Sequence, residues 1–219
     1  MLTHVLWDWN GTILDDLDVV IDVMNQLLAS KGLPVIDRTR YRQEFGFPVR
    51  DYYTRLGLGS HHGSFEEWAR TFVDEYDRRA PRIPVRPQVR PILARLHASG
   101  LRQVVLSAAR AHHLHELVAL HGLGDYFEEL LGLDDHYAAG KLELARAWLE
   151  RTGLDPARLL LVGDTLHDYE VACAIGAHCV LVADGHHGEA RLRDCDCALV
   201  SGLDELYIAD TPVRAYLTM

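Results

Sequence analysis

Short, unbroken apolar runs alternate along this chain with longer helical patterns, and few folds accept that arrangement. His4–Trp9, Gln103–Ser107, Leu159–Gly163, Cys179–Ala183 and Ala198–Ser201 are rich in Val and Leu and lack polar alternation. Strands of that kind are buried on both faces, as in a parallel sheet covered by helices. Glu129–Leu133 is a weaker sixth candidate. Helical periodicity falls around Pro87–Ser99, Arg110–His121, Leu142–Thr152 and Asp168–Ile175. Right-handed crossovers then bring the C-terminal ends of all strands to one sheet edge. Asp8, Ser107 and Asp164 fall at such ends, so three distant segments converge on one crevice. The expected fold class is α/β, a doubly wound parallel sheet.

The stretch between the first two strands is too long for a simple crossover. Most of it reads as helix, over Asp16–Ser30, Pro48–Arg55 and Ser64–Arg79, with apolar residues three and four apart. Pro81, Pro84, Pro87 and Pro91 mark a stiff return linker. These signals predict a small helical cap over residues 16–84, inserted into a core made of 1–15 and 85–219.

The chain has 219 residues, 48% of them apolar, enough to bury a core, and a formal charge of −10. That charge argues against nucleic-acid and anionic-membrane partners, which would repel it. Arg38, Arg40, Arg42, Arg50 and Arg55 nevertheless cluster in one stretch suited to a small anion. Cys173, Cys179, Cys195 and Cys197 have no zinc-site spacing and read as reduced thiols. The start lacks a leader-like apolar region, and no run approaches the ~18 residues of a membrane helix. A soluble cytoplasmic protein, monomer or homodimer, is expected.

Four segments carry chemistry: Asp8-Trp9-Asn10-Gly11-Thr12, Ser107, Lys141 after Gly140, and Gly163-Asp164-Thr165-Leu166-His167-Asp168. A carboxylate at Asp8 can attack phosphorus and form an aspartyl-phosphate, or simply cap the turn that follows. Asp164 and Asp168 offer the hard oxygens magnesium prefers, although an aspartate at Asp168 also suits a helix cap. Ser107 and Lys141 suit phosphoryl oxygens, one by hydrogen bond and one as a point charge. Backbone amides of Gly11, Thr12 and Ala108 are further donors. Arg42, Arg50, His61 and His62 are candidates for a second anionic group of the substrate, or a solvated face. His186 and His187 share the sheet edge and are expected in a solvated loop; His112, His113 and His115 lack zinc-ligand spacing.

In order and spacing these segments resemble the haloacid dehalogenase superfamily. The resemblance implies a Rossmann-like core with a helical cap, and a magnesium-dependent phosphatase acting on a small phosphorylated metabolite, similar to phosphoglycolate phosphatases. It implies Asp8 as nucleophile, Asp8, Asp164 and the Asn10 carbonyl as magnesium ligands with Asp168 in support, and Ser107 and Lys141 on the phosphoryl group. Such phosphatases carry a second aspartate two residues after the first, where this chain has Asn10. An amide neither protonates a leaving alcohol nor activates water. Three readings follow: His167 supplies the proton, the substrate has a good leaving group such as an acyl phosphate, or the protein is a slow, regulatory binder of phosphate ligands. Haloacid dehalogenation is disfavoured by the Asp164/Asp168 pair. A Schiff-base phosphonatase would need Lys31, which sits at a helix end.

Overall fold

The computed structural model describes residues 1–59, 62–133 and 140–206. Six parallel strands form one sheet in the order β3-β2-β1-β4-β5-β6. They are β1 (His4–Trp7), β2 (Arg102–Arg110), β3 (Glu129–Leu133), β4 (Leu159–Gly163), β5 (His178–Val182) and β6 (Ala198–Val200).

Side chains alternate across a strand, and both faces of this sheet are apolar. Val5, Trp7, Val105, Leu160, Val162, Val180 and Val182 join one buried cluster, with α5 (Val89–Ala98) and α6 (Ala111–Leu120) packed on it. Leu6, Val104, Leu106, Leu159, Leu161 and Leu181 join the other, under α7 (Lys141–Thr152) and α8 (Leu166–Ile175). This is why the strand sequences show no polar alternation.

Between β1 and α5 run α1 (Leu17–Ser30), α2 (Arg38–Glu44), α3 (Val49–Arg55) and α4 (Phe65–Arg79). They share a separate apolar cluster that includes Leu17, Met24, Leu28, Tyr41, Tyr52 and Trp68. The chain leaves and re-enters the sheet region as a short antiparallel pair. Asp15 N–H donates to Pro84 O and Arg86 N–H to Ile13 O, at 3.0 and 2.9 Å.

Several elements differ from the sequence expectation. β1 stops at Trp7, although Asp8 N–H still bonds Val162 O at 2.9 Å. β2 continues past Ser107 to Arg110, because the strand bulges between Leu106 and Arg110 and then rejoins β3. α2 was hidden by its arginine-rich sequence. It buries only Tyr41 and starts at Asp37, whose carboxylate accepts Arg40 N–H at 2.7 Å. A short α9 (Glu189–Leu192) completes the set. No helix among the described residues is long and apolar enough to cross a membrane, and all four cysteines are free thiols.

Candidate active site

β1 lies mid-sheet; the chain builds β2 and β3 on one side of it and then crosses over to β4 on the other. The crevice at its C-terminal end is therefore the switch point where α/β sheets bind ligands. Asp8 stands there, between Ser107 of β2 and Asp164 just after β4. Lys141, the first residue of α7, is only 3% exposed and donates to Asp8 Oδ1 at 2.6 Å and to Asp168 Oδ1. A lysine opening a helix opposes the macrodipole; these two carboxylates offset that. Thr165 caps α8, and Asp168 completes the capping box with Oδ2 alone, leaving Oδ1 for Lys141.

Carboxylate oxygens of Asp8, Asp164 and Asp168 lie within 4.8 Å of one another, all buried. Burial pushes Asp8 well above the usual carboxylate range; Lys141 opposes this, while Asp168 and Asp164 add to it. Burial likewise raises Asp164. Lys141 holds Asp168 below the usual range against its own burial. Three carboxylates facing one ammonium leave an excess of negative charge on hard oxygens, so the donor set fits a hard divalent cation. The packing around it is close. A Cβ at Gly163 would lie 2.3 Å from the Asp168 carboxyl carbon, and one at Gly185 2.2 Å from Asp164 Oδ2.

Asn10 faces a second, partly buried network. Its Nδ2 donates to Asp16 Oδ2 at 2.8 Å and to the Tyr76 hydroxyl at 2.6 Å, while Tyr76 also donates to Asp16 Oδ2 at 2.8 Å. Asp16 Oδ1 accepts Gly11 N–H at 2.8 Å and lies 3.2 Å from His186 Nε2. Asp16 stands at the N-cap of α1 yet makes no side-chain cap bond, because its carboxylate is turned inward. Burial would raise it, but the His186 charge and the hydrogen bonds from His186, Asn10 and Tyr76 hold it below the usual range.

His186 and His187 do not lie in a solvated loop. Both are buried, at 5% and 1% exposure. His187 Nδ1 accepts Leu166 N–H at 3.0 Å, and its Nε2 donates to Phe45 O at 3.0 Å. That pairing fixes the neutral Nε2–H tautomer, and burial with Arg191 lowers His187 to about 3. Burial also opposes charge on His186, but Asp16, then Asp164 and Asp8, carry it up to about 9. His186 therefore binds a proton more tightly folded than unfolded. Its stabilising contribution is complete below about pH 6.5 and is lost as pH rises through about 9. Thermal midpoints of the metal-free protein are expected to fall over that window, and His186→Gln to flatten the fall. An unchanged slope in the variant would contradict the pairing.

Above these groups lies a cavity of about 610 Å³ reaching from Asp8, Ser107 and Lys141 up to α1–α4. Val20, Met24, Phe45, Phe47, Phe72 and Tyr76 line its upper part.

The family model for haloacid dehalogenase-like hydrolases matches residues 5–182. The chain belongs to that family. It is 27% identical over 212 residues to a phosphoglycolate phosphatase from Chromobacterium violaceum, covering 93% of this chain and 94% of that one. It is 26% identical over 192 residues to the tyrosine-protein kinase PtkA of Mycobacterium tuberculosis, covering 87% of this chain. The match spans 65% of that relative's length. A haloacid dehalogenase-like family hydrolase from Streptococcus pneumoniae superposes with a TM-score of 0.79 at 18% identity, over 93% of this chain and 96% of that one.

Within this haloacid dehalogenase-like fold, Asp8, Asn10, Ser107, Ala108, Lys141, His167 and Asp168 all line the cavity. Ser107 Oγ accepts Ala109 N–H at 3.0 Å, which leaves its own proton free to donate. The ring of His167 packs on Phe47 at 4.8 Å, and its Nδ1 lies 3.5 Å from Glu170. Gly11 and Thr12 lie beneath the site. The Gly11 amide serves Leu14 O and Asp16, and Thr12 Oγ1 donates to Asp164 Oδ1 at 2.9 Å. Arg42 and Arg50 do not line the cavity. Arg42 donates to the carbonyls of Asp184 and Gly185, and Arg50 to Glu66 at 2.8 Å while covering Phe65. Arg38, Arg40 and Arg55 are likewise engaged, with Asp18, Glu44 and the Glu44 carbonyl. His61 lies outside the described residues.

Sequence reading missed Asp16, Tyr76 and Arg86. Asp16 looked like an ordinary helix start, and Tyr76 like one apolar position of α4. Arg86 is buried and donates to Gly11 O and to Asp184, fixing the turn after Asp8; only its place in the proline-rich return hinted at it.

Proposed function

We propose that this chain is a magnesium-dependent hydrolase of a small phosphomonoester that works through an aspartyl-phosphate on Asp8. The observation that carries this is the Lys141 ammonium bridging Asp8 and Asp168 beside Asp164, at a sheet switch point, with Ser107 on the same wall. Curated relatives named phosphoglycolate phosphatase support the reaction class.

In this reading Asp8 attacks phosphorus, and Ser107 Oγ–H and Lys141 Nζ hold the phosphoryl oxygens. Asp8, Asp164 and the Asn10 carbonyl hold magnesium, with Asp168 in support. Bound magnesium supplies charge neutralisation for the phosphoryl group. Residues 16–84 act as the cap that closes over substrate and excludes bulk water. Asn10 takes no part in proton transfer. Departure of the leaving group then depends either on His167 or on a leaving group that needs no proton. A second reading, a slow phosphate-ligand binder, is favoured by Asn10 alone.

The test is phosphate release with magnesium from acetyl phosphate and 2-phosphoglycolate, with Asp8→Asn as the blank. Asp8-dependent release from acetyl phosphate is expected. If none occurs while inorganic phosphate still binds, the hydrolase reading gives way to the binder.

A further inference from the structure

Among the described residues, the cavity does not have the chemistry of a site for a metabolite that carries a second anionic group besides its phosphate. Each basic side chain in its wall, among those residues, already faces a carboxylate. Lys141 is held by Asp8 and Asp168, and Arg110 and His113 both meet Asp77, at 3.2 and 3.0 Å. His186 meets Asp16, and His167 lies beside Glu170. A substrate carboxylate or second phosphate among Val20, Met24, Phe45 and Phe72 would be desolvated with no unpaired cation among the described lining residues to receive it. At about 610 Å³ the space has the scale of sites for drug-sized ligands, well beyond what a phosphoryl group with a two-carbon tail fills. Its lining joins the polar groups around Asp8 to a broad aromatic surface that includes Phe45, Phe47 and Phe72.

We infer that the substrate is an aryl phosphomonoester, with the phosphate against Asp8, Ser107 and Lys141 and an uncharged aromatic ring among Phe45, Phe72 and Tyr76. This rests on the proposed role of Asp8 as nucleophile, and it joins two observations that are otherwise separate. The ring fits the apolar wall, where offset and edge-to-face contacts with aromatic side chains are available. A phenolate also leaves without an acid. Phenols ionise near pH ~10, as tyrosine does, whereas an alkoxide is about as basic as hydroxide, near ~16. In the first step an Asp8 oxygen forms the new bond to phosphorus. The P–O(aryl) bond breaks, and its electron pair departs on the phenolate, which takes its proton from solvent. Unassisted water then attacks the phosphorus of the aspartyl-phosphate, the P–O bond to Asp8 breaks with its electron pair restoring the carboxylate, and both water protons leave on the product as dihydrogen phosphate, which ionises in solvent. Asn10 is compatible with this chemistry because the first departure asks nothing of it.

The experiment is a substrate series on the full chain with magnesium: phenyl, 2-naphthyl and benzyl phosphate, 2-phosphoglycolate and acetyl phosphate, each against Asp8→Asn. The expected kcat/KM for phenyl phosphate exceeds that for 2-phosphoglycolate at least ~100-fold, the scale of missing acid catalysis. KM should fall several-fold from phenyl to 2-naphthyl phosphate as more apolar surface is buried. Benzyl phosphate should match phenyl phosphate in KM with a kcat lower by about 100-fold. Equal or greater kcat/KM for 2-phosphoglycolate, or no fall in KM with the larger ring, overturns the aryl assignment. If acetyl phosphate is then still turned over through Asp8, the hydrolase reading stands without it. No Asp8-dependent release from any member removes both.

Discussion

Asp16→Ala is expected to lower stability by about 3–5 kcal/mol, the range found when one member of a buried ion pair is removed. Asp16 is fully buried and faces four groups: His186 Nε2, Gly11 N–H, Asn10 Nδ2 and the Tyr76 hydroxyl. Truncation leaves the His186 imidazolium without its nearest counter-charge and the Tyr76 hydroxyl without its acceptor, while Gly11 N–H and Asn10 Nδ2 keep only their second partners, Leu14 O and the Tyr76 hydroxyl. For a chain of this size the thermal midpoint should drop by roughly 6–20 °C. The double variant Asp16→Ala with His186→Ala should lose less than the sum of the two single changes, because the unpaired charge is removed along with its partner. A loss under about 1 kcal/mol, or strict additivity, would show that the pair does not hold the loops after β1 and β5 together.

Asn10→Asp should raise turnover of an alkyl ester such as benzyl phosphate by ~10²–10⁴-fold, the usual worth of a positioned acid–base group. The structure adds a reason beyond the missing carboxyl. The new side chain would replace an amide that lies 2.8 Å from Asp16 Oδ2. Two carboxylates that close do not both ionise, so the pair retains a proton near neutral pH. That proton is the one the leaving alcohol needs. The same contact makes the variant less stable, by about 1–3 kcal/mol, since Nδ2 no longer donates to Asp16 and Tyr76. A folded variant with unchanged kcat on benzyl phosphate would mean that another group already protonates the leaving oxygen. His167→Gln would then be the variant to measure.

Much of the fold was written in local patterns. β4 and β3 fall where the apolar runs place them, and α7 begins within a residue of its expected start, because burial on both sheet faces leaves an unbroken Val/Leu signature. The length of β2 was not legible, since a bulge that continues a strand has no composition of its own. Nor was α2, whose arginines read as a solvated stretch although each pairs locally or with a neighbouring loop.

The sequence by itself determined the parallel sheet and the convergence of Asp8, Ser107 and Asp164. Strand ends are local features, and the crossover rule carries them to one edge without knowledge of any contact. It also placed an amide, Asn10, two residues after Asp8. Only the tertiary structure decided what surrounds that amide and what lies above it. Asn10 meets Tyr76 across 66 positions and Tyr76 meets Asp16 across 60, so no window of sequence contains the network. The arginines that looked ready for an anion turned out to be engaged elsewhere, and the cavity wall came from apolar residues of four helices. Charge pairing and cavity lining depend on which side chains face each other once the chain has closed. Such facing is a property of packing, and neither periodicity nor spacing encodes it.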